Sequence, residues 1–316
     1  MNKTYQVGEM ASARAVIGDT LCSLAEKNPA IWALTSDCGG NLQEYAKLYP
    51  DRYVDTGIAE QSAADIAAGL ALAGAIPHIM GMAPFVTMRC FEQNRTSIGY
   101  QNLPVRIIGT CGGMSSGGGS THYAMEDVAI MRSIPNMSVV SISDPVMAGA
   151  ALRVTEAHPG PVYIRLALGK SDPVIYTPDE VAFMLGKGYV VRNGTDATIL
   201  THGAMVRHAM QLSDKMAAEN IGIRVVDMMS IKPIDRELVL QCVRETERII
   251  VWEDHLAFGG MASAVADVLV DVGMQPKHFR RVGIPETYPG FGADQDLYRK
   301  YNMDADFVMQ VVRDIL

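Results

Sequence analysis

Short apolar, β-branched runs alternate with amphipathic stretches along most of the chain. Residues 31–35, 76–80, 105–110, 138–142 and 162–166 read as strands. Between them, residues 13–26, 60–73 and 125–132 carry the spacing of helices with one apolar face. That rhythm predicts a parallel sheet covered by helices on both sides. It breaks after residue 170, where Pro173, Pro178 and the Asp179–Glu180 pair suggest a linker. It then resumes, with strands at 197–201, 223–228, 248–252 and 279–282. The helices of this second block fall at 204–219, 235–247, 260–272 and 305–315. Asp235, two residues after Pro233, is placed to cap the second of them. The expectation is an α/β chain of two doubly wound domains, 1–170 and 189–316, joined by a linker at 171–188.

Residues 66–86 are almost wholly apolar and could be mistaken for a membrane span. They are rich in Ala and Gly and broken by Pro77 and His78, which fits a buried helix followed by a buried strand. The length of 316 residues suits two domains at roughly 150 residues each. A net charge of -8 gives no electrostatic footprint for nucleic acid or an anionic membrane. An anionic substrate would therefore need a local basic pocket. Five cysteines at irregular spacing form no CxxC pair, and no His cluster stands at metal-ligand spacing. Reduced thiols in a cytoplasmic protein are expected, with no metal bound by this chain. The first residues carry no apolar signal region.

Three segments carry candidate chemistry. In Asp55-Thr56-Gly57-Ile58-Ala59-Glu60-Gln61 a Gly turn follows a strand, and Glu60 opens a helix rich in Ala63, Ala64, Ala67, Ala68 and Ala71. Such small residues permit close approach of another backbone, here expected from a second subunit. A carboxylate at the C-terminal edge of a parallel sheet sits where α/β proteins place functional groups, although one at a helix start also simply complements the dipole. Phe85, between a strand and a helix, can form a stacking platform for a heterocycle or a core contact. The run from Gly112 to His122 has too many glycines to be there for packing, and no Lys-Ser/Thr follows to make it a P-loop. His122 at its end is a candidate for binding or proton transfer, or a surface histidine.

In combination these segments resemble the transketolase family. Gly57-Ile58-Ala59-Glu60-Gln61 is similar to the glutamate motif of the pyrimidine-binding domain, and residues 121–137 to the segment after that family's glycine loop. Ile231-Lys232-Pro233-Ile234-Asp235 and Val251-Trp252-Glu253-Asp254-His255 resemble the transketolase C-terminal domain. The family's Gly-Asp-Gly motif, which holds a divalent metal with the cofactor's diphosphate, does not occur. The resemblance is thus to the C-terminal chain of a two-chain transketolase. It implies thiamine diphosphate, with Mg²⁺ and the diphosphate held mainly by an N-terminal partner subunit, in an α2β2 assembly acting on small sugars.

The resemblance also assigns roles. Glu60 matches the glutamate that contacts the aminopyrimidine and activates the cofactor. The helix dipole favours its carboxylate by about 0.3–1 kcal/mol, whereas burial against an aromatic ring favours the neutral acid. Phe85 matches the stacking aromatic, and His122 a histidine that hydrogen-bonds substrate hydroxyls. Ile58, Arg89, Phe91 and Gln93 are expected around the cofactor, and Asp37 near it at the subunit interface. For substrate, Arg14 matches one phosphate-binding arginine and Asn41 falls roughly at a phosphate-binding serine. Cys111 replaces a histidine, Leu168 a second arginine, and Gly117 and Gly118 an acidic pair that reads a hydroxyl. Each lost charge-assisted contact weakens anion binding by about 1.5–3 kcal/mol. These departures point to a non-standard ketose: a branched-sugar phosphate, a sulfonated sugar or an unphosphorylated one. The rival readings are the E1 β subunit of a 2-oxo acid dehydrogenase, deoxyxylulose-phosphate synthase, which is usually one long chain, and a non-catalytic stabilising subunit.

Overall fold

The computed structural model describes residues 5–167, 171–176 and 182–316. Its strands are β1 (Met10–Ala11), β2 (Ile31–Thr35), β3 (Tyr53–Asp55), β4 (Ile76–Met82), β5 (Arg106–Thr110), β6 (Ser138–Ile142) and β7 (Val162–Leu166), then β8 (Asp172–Pro173), β9 (Tyr189–Arg192), β10 (Ala197–Thr201), β11 (Ile223–Asp227), β12 (Ser230–Lys232), β13 (Arg248–Leu256) and β14 (His278–Ile284). A seven-stranded sheet runs β12-β6-β7-β5-β4-β2-β3, and a five-stranded sheet runs β14-β13-β10-β11-β9. All pairings in the first are parallel except that of β12, and all in the second except that of β9. β5, β6 and β7 are buried at every position, as strands sandwiched between helices must be.

The apolar run 66–86 divides as its Pro and His suggested, into the helix Glu60–Leu72 and strand β4. Among the described residues no helix is long and apolar enough to cross a membrane. Asp235 caps the helix Arg236–Thr246, accepting from the Leu238 N–H at 3.2 Å. All five cysteines are free.

Three features depart from the sequence expectation. First, the helix expected after Phe85 is a turn of π-helix, Phe85–Arg89, followed by the short α-helical turn Phe91–Gln93 and a second π-helical stretch, Asn94–Gly99. Second, the alanines of the Glu60 helix are not a docking face. Ala63, Ala64, Ala67, Ala68 and Ala71 are buried in this chain's own core, so their small size lets the helix lie close on its own sheet. The open face instead carries Ser62, Asp65, Ile66, Gly69 and Leu72. Third, the two blocks are laced together. β12 leaves the second block to pair antiparallel with β6, covering what would be an exposed edge of the first sheet. Within the linker segment, β8 pairs with β1, and the Asp144 carboxylate accepts from the Ile175 and Tyr176 amides.

A buried polar network fills the junction. Arg165, fully buried on β7, donates through Nε to Asp127 Oδ2 at 2.7 Å and through Nη2 to the Asp254 carbonyl at 2.7 Å. Tyr163 donates to the same Asp127 oxygen at 2.6 Å. Arg165 is therefore a structural residue, committed to this network rather than to a substrate.

Candidate active site

Glu60 is the first residue of its helix and only 4% exposed. A buried carboxylate needs a partner, and the π-helical turn supplies one. That turn brings the Arg89 guanidinium back to Glu60, with Nη1 at 2.8 Å from Oε2. It also lays the same guanidinium over the Phe85 ring, 4.0 Å from the centroid. His122 meets Phe85 edge-on, with ring centroids 5.3 Å apart at 74°. Four residues expected from the sequence, on three separate segments, thus form one group. One-turn π-helical expansions are frequent at functional sites because they re-aim side chains.

His122 is held by its loop. Its Nδ1 lies 2.9 Å from the Thr121 hydroxyl. Gly118 makes room for it, since a Cβ there would stand 2.8 Å from the His122 Cβ. The loop is fastened from the second domain: Ser120 donates to the Pro289 carbonyl and Tyr123 to that of Gly290. At its base, the Met114 amide donates to the Asp254 carboxylate at 3.3 Å. Gly113 is required there twice over. Its φ is +68°, and a Cβ would lie 1.9 Å from Asp254 Oδ2. Burial lifts the Asp254 carboxyl to about 6, against the opposing pull of Arg165. In the sequence Asp254 stands out only as part of a motif, and its role as the loop's anchor is invisible.

A second cluster lies at the ends of β2, β4 and β5. A cleft of about 280 Å³ is lined by Arg14, Asp37, Cys38, Gly40, Asn41, Met80, Gly81, Met82, Thr110 and Cys111. Arg14, Asn41 and Cys111, predicted for substrate, are gathered here, and Asp37, predicted for the cofactor, joins them. Arg14 Nη2 donates to the Cys111 sulfur at 3.0 Å, and its buried Nε has no hydrogen-bond partner. Asp37 and Cys111 both adopt left-handed backbone, at φ 54° and 60°. That conformation strains a cysteine more than an aspartate. The cleft adjoins the first group closely enough for the Glu60 charge to act on Cys38, whose thiol is raised mainly by burial.

Ile58 is 74% exposed in the turn before Glu60. Phe91 packs partly buried against the main core, and Gln93 has a buried Oε1 with no hydrogen-bond partner. Leu168 lies outside the described residues. Among those described, no group of three His, Cys, Asp or Glu side chains could hold a metal ion.

A buried carboxylate beside an aromatic face, already holding a planar N–H donor, is the donor set that an aminopyrimidine ring requires. The chain belongs to the transketolase family: the profile of the transketolase pyrimidine-binding domain matches residues 9–170 and that of the transketolase C-terminal domain residues 186–308. Within it, the chain is similar to individual subunits of transketolases. It is 35% identical over 300 residues to one subunit of the apulose-4-phosphate transketolase of Phocaeicola vulgatus, covering 94% of this chain and 95% of that one. It is 33% identical over 319 residues to the SqwH subunit of the 6-deoxy-6-sulfo-D-fructose transketolase of a Clostridium species, covering 100% and 98%. A solved structure described as a split gene transketolase, inactive beta4 tetramer, superposes with a TM-score of 0.86 at 37% identity, over 96% of this chain and 98% of that one. By contrast, the chain spans 49% of the 1-deoxy-D-xylulose-5-phosphate synthase of Syntrophotalea carbinolica, at 35% identity. The family implies thiamine diphosphate as cofactor.

Proposed function

We propose that this chain is the C-terminal subunit of a two-chain transketolase, moving a two-carbon ketol unit from a ketose to an aldose. The observation that carries the reading is the convergence of Glu60, Phe85, Arg89 and His122 from three segments. Thiamine diphosphate, when bound, supplies the carbanion chemistry. This chain's part is positional and electrostatic. Phe85 offers a flat face to the pyrimidine, and Glu60 Oε2 holds or releases the proton at the ring nitrogen it contacts. His122, at the edge of Phe85, is placed to hydrogen-bond substrate hydroxyls. Asp37 borders the cofactor side of the substrate cleft. The diphosphate and Mg²⁺ fall to an N-terminal partner chain, in an α2β2 complex. The inactive tetramer of the structurally similar chain supports the need for that partner.

The substrate reading rests on the cleft. It offers one guanidinium, Arg14, with an unused Nε, beside a thiol and an amide where phosphosugar enzymes of the family place a histidine and a serine. Gly118 gives space where an acidic side chain would read a hydroxyl. A ketose with a branched skeleton or a relocated anionic group fits this set better than a linear pentose phosphate. The names of two relatives, an apulose-4-phosphate transketolase and a 6-deoxy-6-sulfo-D-fructose transketolase, support that choice. The test is kcat/KM of the reconstituted complex on xylulose 5-phosphate, apulose 4-phosphate and 6-deoxy-6-sulfofructose. Full efficiency on the ordinary pentose phosphate would refute it.

A further inference from the structure

Arg89 does something that neither the family profile nor the sequence pattern assigns. Its guanidinium is planar, carries N–H donors, stacks 4.0 Å above Phe85 and donates to Glu60 at 2.8 Å. These are the two contacts, a stack and a donor to the carboxylate, that the proposed function reserves for an aminopyrimidine. We infer that Arg89 is a built-in occupant of the ring-binding subsite, which an incoming heterocycle must displace.

The geometry gives the occupant a reason and an exit. Glu60 is 4% exposed and would otherwise hold a buried charge without a counter-charge. Arg89 neutralises it and keeps the Phe85 face covered until the ring arrives. The Arg89 side chain is itself 40% exposed, so it can swing outward without unpacking the core. Phe85 and Arg89 stand at the two ends of the π-helical turn, with the guanidinium carbon over the ring. Cofactor affinity is then the ring's intrinsic affinity reduced by the fraction of time that Arg89 is in place.

This inference rests on the proposed function, and its test separates the two. The probe is 4-amino-5-hydroxymethyl-2-methylpyrimidine, titrated into the full chain and followed by ligand NMR and by the arginine side-chain resonances. Arg89→Met should tighten probe binding about tenfold, because the competing charge-assisted contact is gone. Arg89→Lys, which keeps the charge but loses the plane, should fall between. In the wild type one arginine resonance should shift as the probe saturates, and Glu60→Gln should release that resonance without any probe. Equal or weaker binding by Arg89→Met would overturn the inference while leaving the ring site intact. Probe binding that Phe85→Ala and Glu60→Gln both fail to weaken, or no binding to any variant, would remove the ring site, and with it both the inference and the proposed function.

Discussion

Replacing Asp227 with Asn should make the chain's stability much less dependent on pH. Asp227 ends β11 and is fully buried at the junction between the two sheets. Its Oδ2 accepts from the Tyr176 hydroxyl at 2.7 Å and from the Ser143 hydroxyl, while its buried Oδ1 has no partner. Burial, together with the nearby Asp144 charge, raises its carboxyl from 3.8 to about 7, against the pull of the two hydroxyls. The folded chain therefore binds this proton more tightly than the unfolded chain does. Between pH 4 and 7 the folded state holds more protons, so stability falls as pH rises through that window. At roughly 1.4 kcal/mol per pH unit across about three units, the loss approaches 4 kcal/mol, an upper bound. Asn keeps an oxygen for the two hydroxyls and has no charge to bury. The assay is urea unfolding at pH 5, 6, 7 and 8, read by far-UV circular dichroism on the wild type and Asp227→Asn. The difference between the two proteins should move in favour of the variant by up to about 2.7 kcal/mol from pH 5 to pH 8, since only two of the three units fall in that range. Parallel pH profiles would show that Asp227 does not carry a displaced proton.

Two further perturbations test the junction and the loop. Arg165→Met leaves Asp127 and Asp254 buried without their guanidinium and should lower unfolding free energy by about 3–5 kcal/mol, measured in urea at pH 7. Gly118→Ala sets a Cβ against that of His122 and should cut kcat/KM of the reconstituted complex by about 10- to 100-fold with the fold retained; undiminished efficiency would take His122 out of the chemistry.

The layered α/β plan was legible because strand and helix periods are local. The runs at 31–35, 138–142, 162–166 and 197–201 became strands with those bounds. What stayed hidden was long-range. Nothing in Ser230-Ile231-Lys232 shows that three residues of the second block close the edge of the first sheet. The alanines after Glu60 could not reveal which partner they approach, since small residues suit a foreign backbone and an internal sheet equally. The site was legible as residue identities through the glutamate motif, Phe85 and His122. Its pairing was not: the carboxylate and the arginine are 29 positions apart, on a helix and on a π-helical turn, and no local spacing shows that they meet. Asp254, bound to the glycine loop 140 residues away, is hidden for the same reason.

Everything proposed for the site turns on Glu60 activating thiamine diphosphate in a complex with a diphosphate-binding chain. Glycolaldehyde transfer by the reconstituted complex, wild type against Glu60→Gln, decides it. Turnover is expected only when both chains and the cofactor are present, with a fall of at least about 100-fold in Glu60→Gln while the complex still assembles. Wild-type turnover by Glu60→Gln would take that role away from Glu60.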